Sequence, residues 1–328
     1  MLLAQLPEPS RLGDVLMAFL SIAFEGAPYI LIGTVLSGLI SAFLDARLLD
    51  RVLPRNGVLS TLMAGVLGLV FPVCECAVVP VIRRLVQKGL PVSCAVTYML
   101  AAPIMNPIVA VSTLTAFKEF EKLNSLGDWS QASMTLSRLS LGYVVAVIVG
   151  LIALRFKPSQ ILQPRVLATL PTAASGEGGS QDQPTAANSL ASRLVQAMRA
   201  AMSDFVDTTM YFVIGVVITA VFNTQVDQSI LNQVAGNPYL ALPSIMGLAI
   251  VLSLCSTSDA FIAAPMAAFS MAAKLAFLVF GPMMDIKLLF MYSGLFKRRI
   301  VLGLLVLLFA LIACLSQPWY QLVSGLAK

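Results

Sequence analysis

Two cysteines separated by one glutamate, Cys74-Glu75-Cys76, lie in an otherwise apolar stretch flanked by Pro72 and Pro80. Two thiols on one side of the backbone suit a soft partner, with Cys74 and Cys76 as thiolate ligands of trivalent arsenic or a soft metal. On a continuous helix residues i and i+2 project about 200° apart; in extended backbone they share a side. The flanking prolines disfavour regular helix, so the triplet is expected at a helix break. Glu75 would then supply a proton-exchange group or a countercharge. Two small buried hydrophobes would present the same residue types, so the break carries the chemical reading.

A second polar cluster runs from Ser253 to Asp259, and five of its seven residues are Ser, Thr or Asp. These are helix N-cap types, and they predict a half-helix beginning near Ala260 whose free N–H groups suit an anionic or oxyanion-like ligand. Cys255 adds a third thiol if the two breaks meet, and Ser256 and Thr257 are further substrate contacts. Asn106 and Asp285 follow Pro103 and Pro282 in corresponding places. Asn106 reads as a substrate contact. A carboxylate in an apolar run is costly and marks function by default, so Asp259 and Asp285 join Glu75 as candidate proton carriers. Lys287 and Lys274, near Asp285 in sequence, offer simple charge neutralisation instead. Glu25 and Asp207 complete the proton-carrier set, although solvation at a helix end would also explain them. Arg83, Arg84 and Lys88 read as an interfacial anchor, and Cys94 and Cys314 as packing.

The chain that must position these groups has 328 residues, 58% hydrophobic and only 11% charged. Soluble domains carry about 25% charged residues, so this is an all-α polytopic membrane protein. It contains no histidine, which excludes His-ligated metals, Ser–His and Cys–His hydrolytic pairs and histidine proton relays. No Gly-x-x-x-x-Gly-Lys-Ser/Thr phosphate loop is present. The net charge of +5 comes mostly from short loops, where membrane topology explains it without nucleic acid. Residues 1–10 contain no Lys or Arg, so the first apolar run reads as a retained helix rather than a cleaved signal.

At roughly 20 apolar residues per crossing, spans are expected at about 15–43, 91–117, 136–156, 205–224 and 300–317. Regions 58–90 and 239–297 are apolar but broken by Pro, Gly and small polar residues. The segment 158–200, with its Ala-, Gly-, Ser- and Pro-rich centre, reads as a flexible linker between a first repeat (1–157) and a second (201–328). Glu25, Tyr29 and Gly33 recur as Asp207, Tyr211 and Gly215, 182 positions later; Cys74 matches Cys255 at 181 and Asn106 matches Asp285 at 179. Three matches in order at a near-constant offset indicate an internal duplication. Eight to ten transmembrane helices in two duplicated halves follow, with broken or re-entrant helices at midplane. Basic residues around the linker and at 297–299 place both in the cytoplasm. Five passes per half satisfy that and make the repeats inverted. Duplicated halves with interrupted helices form transporter sites at midplane.

The ordered set Phe71-Pro72-Val73-Cys74-Glu75-Cys76, Gly89-Leu90-Pro91 and Ala102-Pro103-Ile104-Met105-Asn106-Pro107 resembles the ArsP/YraQ-type permeases. These are bacterial inner-membrane permeases, and they include efflux proteins for arsenite-type and methylated trivalent arsenicals. The resemblance spans nearly all of the chain outside the linker and the extreme termini. It implies efflux across the inner membrane without an ATPase domain. Many members carry a small residue between the cysteines; Glu75 in its place favours a cation or a proton-coupled step.

Together these observations predict a secondary-active, proton-coupled efflux permease rather than an enzyme, needing no cofactor. Its partners would be the bilayer, a small inorganic or organometalloid solute and a second copy of itself. The alternatives are a soft-metal or other small-ion permease on the same scaffold and, more remotely, a membrane thiol oxidoreductase. The oxidoreductase lacks its usual Cys-x-x-Cys spacing.

Overall fold

The computed structural model describes residues 11–43, 54, 56–71, 73–124, 129–168, 190–223, 238–266 and 268–326. The linker centre Pro171–Asn188 and the loop 225–237 lie outside them. The described chain is helical, and its one β pairing is a single bridge between Leu162 and Phe296. The first half contains α1 (Arg11–Phe43), α2 (Gly57–Val70), α3 (Glu75–Gln87), α4 (Val92–Ala101), α5 (Pro107–Asn124) and α6 (Trp129–Ala153). Two single turns follow, α7 (Pro158–Ile161) and α8 (Pro164–Leu167). The second half contains α9 (Leu190–Asn223), α10 (Pro238–Leu252), α11 (Asp259–Ala263), α12 (Met271–Met283), α13 (Ile286–Leu295) and α14 (Arg298–Leu326).

Among the described residues, five stretches are long and apolar enough to cross a bilayer: Gly13–Phe43, Ser133–Ala153, Leu194–Phe222, Met271–Leu295 and Arg298–Gly325. Four shorter apolar helices lie between them. Two expectations are corrected. The single crossing drawn at 91–117 is two helices, α4 and α5, because the chain leaves helix between Ala102 and Asn106. Parts of the predicted linker are also helical. Residues 190–200 are the first three turns of α9, and 158–167 are pinned by backbone hydrogen bonds from Gln163 to Leu295 and from Lys297 to Ile161.

The breaks are chemically marked. Helix α3 ends at Gly89, whose φ of +104° suits glycine. The Leu90 N–H bonds the Leu85 carbonyl and the Gly89 N–H bonds the Val86 carbonyl, a Schellman closure. Asn106 caps α5 through Oδ1 on the Ile108 N–H at 2.9 Å, and Asp285 caps α13 through Oδ1 on the Leu288 N–H at 2.7 Å. The two residues matched in sequence thus do the same structural work.

Helices α1 and α9 pack lengthwise. Gly26 lies against Phe212 and Gly38 against the Ala197 carbonyl, so the matched helices run antiparallel, as inverted halves require. The fully buried α4 and the nearly enclosed α12 form the centre, flanked by α2, α6, α10 and α14. Close approach at two matched glycines seats the α1–α9 pair on this core. A Cβ on Gly33 would lie 2.6 Å from Ala77 Cβ and 2.8 Å from its Cα, and one on Gly215 2.6 Å from Lys287 Cα. Gly33→Ala and Gly215→Ala are each expected to destabilise by about 1–3 kcal/mol through overpacking. A Cβ on Gly247 meets open space, so Gly247→Ala should stabilise by roughly 1 kcal/mol through helix propensity. Thermal unfolding in detergent checks all three; equal midpoints would refute the close-packing account.

Candidate functional site

The break before α3 is narrower than the sequence suggests. Only Cys74 has extended backbone (φ −72°, ψ 165°); Glu75 and Cys76 already form the first turn of α3. The helix continues through Pro80. Proline has no N–H, so the Cys76 carbonyl four residues earlier lacks its helical partner. Ser37 Oγ lies 3.2 Å from the Pro80 carbonyl, where α1 meets this helix.

The matching break between α10 and α11 is strained. Ser253 has φ +46°, a left-handed conformation that is unfavourable for serine. Three neighbours hold it there. Its Oγ donates to the Ile250 carbonyl at 2.9 Å, Thr219 Oγ1 donates to that Oγ at 3.3 Å, and Lys287 Nζ donates to its carbonyl at 2.9 Å. Such strain persists only where surrounding contacts over-determine it, and it clusters at functional sites. The half-helix expected near Ala260 is α11, five residues long. Asp259, its first residue, puts a carboxylate where the anion was expected, so no anion seat forms.

The two breaks meet. Cys74, Glu75, Cys76, Cys255 and Lys287 line one cavity of about 260 Å³, its open mouth included, with Glu25 and Tyr29 at the rim. Thr257 Oγ1 donates to Cys255 Sγ at 3.5 Å. Glu75 is fully buried and its Oε2 accepts from Ser256 Oγ at 3.1 Å. Lys287 Nζ stands 3.5 Å from Glu75 Oε1 and 3.4 Å from Asp285 Oδ2. Neither of those oxygens has a hydrogen-bond partner. One ammonium therefore serves two enclosed carboxylates. Among the described residues no three His, Cys, Asp or Glu side chains are gathered closely enough to hold a metal ion.

The remaining predicted residues divide. Glu25 Oε1 accepts from Ser258 Oγ at 3.2 Å at the cavity rim. Asp259 sits behind the site, its Oδ2 2.6 Å from Arg138 Nη2. Asn106 is spent on capping and is not among the cavity's lining residues. Asp207 lies apart from the thiols, 2.8 Å from Arg83. Beside it, Arg84 grips Asp204 with Nε at 2.7 Å and Nη2 at 3.0 Å, and Ser37 Oγ donates to Asp204 at 2.6 Å. These cations thus act as ion-pair partners between α3 and α9 rather than as a simple interfacial anchor. Cys94 is packed in α4 and Cys314 is exposed on α14, both away from the cavity.

Sequence reasoning passed over Arg138 and Asp204. Arg138 is 1% exposed in the α6 span. It bonds Thr113 Oγ1 at 2.8 Å, the Ser256 carbonyl at 3.0 Å and Asp259. Its signal was a lone charge inside an apolar run. Asp204 gave a weaker signal, a carboxylate four residues before the first uncharged stretch of α9.

The chain matches the ArsP_1 family, described as predicted permease, over residues 11–317. It is 38% identical over 285 residues to the UPF0718 protein YcgR of Bacillus subtilis, covering 86% of this chain and 89% of that protein. It is 31% identical over 316 residues to a Streptococcus mutans protein named as a subunit of a two-component membrane permease complex, covering 94% and 98%. No solved structure matches. With two interrupted helices meeting at a buried polar cavity inside a multi-pass bundle, this chain belongs to the ArsP_1 family of predicted membrane permeases.

Proposed function

We propose that this permease exports a thiophilic solute, trivalent arsenic as arsenite or methylarsenite, in exchange for protons. One observation carries the reading: three thiols from the two helix breaks open onto the same cavity. The solute binds by exchange. Each As–OH is replaced by an As–S bond while the thiol proton leaves with the hydroxyl as water, so two thiols convert CH₃As(OH)₂ to a dithiolate and two waters. Hydrolysis reverses the step on release. No charge is created, so the exchange suits an enclosed site.

Charge counting supports the coupling. Glu75 and Asp285 outnumber Lys287, and each keeps an oxygen without a hydrogen bond. An enclosed triad with net charge −1 is costly, and one proton neutralises it. The site is closed on one side. Three helical turns, about 18 Å, separate Glu25 at the rim from Ser37. There the Arg84–Asp204 and Arg83–Asp207 pairs join α3 to α9. With the basic face inside, this is a conformation closed to the inner-membrane cytoplasmic side, and the halves rock to open it.

In a host lacking arsenical exporters, Cys74→Ser/Cys76→Ser is expected to abolish resistance to methylarsenite at unchanged protein level. Full resistance in that variant sinks the thiol-exchange reading. Everted vesicles should accumulate methylarsenite only with a proton gradient; accumulation independent of the gradient refutes proton exchange.

A further inference from the structure

A second cavity lies away from the thiol site, where α4, α6 and α14 converge beside α7. Its space, open mouth included, is about 740 Å³. Its walls are apolar, with Val96, Ile152, Phe156, Ile161 and Leu307 among them, and the one charged residue lining it is Arg299. The end wall is a built feature. The Leu162–Phe296 bridge, the Gln163 N–H on the Leu295 carbonyl at 3.0 Å and Gln163 Nε2 on the Ser293 carbonyl at 2.8 Å hold 158–167 against the start of α14. On α14 the position facing the void is Gly303, where an added Cβ meets nothing within 4 Å.

The charges at this end have one sign. Arg155 and Lys157 flank Phe156, and Lys297 and Arg298 precede Arg299. Neither 151–168 nor 286–328 contains an Asp or Glu. Helix α13 runs antiparallel to α9, with Lys287 against Gly215 and Gly294 against Tyr211. The cavity therefore opens at the same face as Arg83 and Arg84, the face with the excess of cations. An apolar slot ending in a cation at a membrane interface matches a hydrocarbon chain that ends in a phosphate. Basic pockets between transmembrane helices bind anionic headgroups in this way.

We propose that this groove holds one acyl chain of an anionic phospholipid, with the lipid phosphate on Arg299. The bound lipid fills the space beside Gly303 and bridges α4 and α6 of the first half to α14 of the second. The site is independent of what the permease carries.

Native mass spectrometry of the full chain, titrated with phosphatidylglycerol and with phosphatidylcholine of identical chains, tests it. Wild type should retain more phosphatidylglycerol. Arg299→Gln, at an exposed position, should weaken phosphatidylglycerol binding about fivefold and leave phosphatidylcholine unchanged. Gly303→Phe should reduce adducts of both lipids while the unfolding midpoint stays within a few degrees. Equal binding of the two lipids to wild type, or wild-type phosphatidylglycerol binding by both variants, overturns the proposal.

Discussion

Asp259→Ala is expected to destabilise the protein by about 3–5 kcal/mol, the usual cost of breaking a buried ion pair by removing one partner. The reason lies in what it leaves behind. Arg138 is 1% exposed, and its Nη2 holds both the Asp259 carboxylate and the Ser256 carbonyl. A guanidinium cannot shed its proton in a protein, so the stranded charge has no way to neutralise itself. Local rearrangement would disturb Ser256, whose hydroxyl holds Glu75. Arg138→Met alone is expected to be milder, because a stranded carboxylate can bind a proton. The double variant Arg138→Met/Asp259→Leu should recover most of the loss, since an apolar replacement of a buried pair is often near neutral. Thermal unfolding in detergent of these proteins, with the single variant Asp259→Leu closing the cycle, measures the coupling. A double variant as unstable as Asp259→Ala would show that the pair is not the source of the cost.

The second large effect concerns access. Asp204 is 2% exposed and accepts two hydrogen bonds from Arg84 and one from Ser37. Hydrogen bonds to charged groups are each worth about 1.5–3 kcal/mol. Asp204→Ala removes these ties between α9, α3 and α1 together. It should shift the balance toward the conformation open at the basic face by at least tenfold, since 1.4 kcal/mol is a factor of ten. The readout is the rate at which a membrane-impermeant maleimide, applied from that face, modifies the cavity thiols in a Cys94→Ala/Cys314→Ala background. Asp207→Ala should have a smaller effect, because its partner Arg83 is 31% exposed and solvent already screens the pair. Equal labelling of wild type and Asp204→Ala would remove the gate from the mechanism.

The two variants separate two kinds of buried charge. The Arg138–Asp259 pair lies within the scaffold that positions the second break, and its loss should read as instability. In the mechanism proposed above the Arg84–Asp204 pair closes the basic face, and its loss should read as altered exposure with a folded protein. Lys287 falls between these cases. It braces the strained Ser253 carbonyl and is also the counter-ion shared by Glu75 and Asp285.

How much of this was legible beforehand varied by feature. Composition alone required a membrane bundle, because 11% charged residues cannot cover soluble surfaces. The polar clusters at 74–76 and 253–259 marked two breaks, because Pro and short polar side chains disfavour continuous helix. The matched offsets marked an internal duplication, and the placement of basic residues favoured inverted halves. Cys74, Glu75 and Cys76 were therefore nameable as one group from the sequence, with Cys255 a member only if the breaks meet. Their order along the chain, however, left open whether the breaks touch.

Tertiary structure decided the rest, because side-chain partners are chosen by proximity in space and not by spacing in sequence. Asn106 and Asp285 read as equivalent polar residues after proline, and both became helix caps. Only Asp285 also has a lysine beside it, Lys287 two residues on, whose Nζ lies 3.4 Å from its Oδ2. Asp207 read as a proton carrier and proved to be the partner of Arg83, 124 residues away. Arg138 read as nothing in particular and proved to be the cation that holds the second break in place. What the sequence determined by itself was the solvent this chain needs and where its helices fail. Apart from the neighbours Asp285 and Lys287, the charges that neutralise one another there come from segments more than a hundred residues apart.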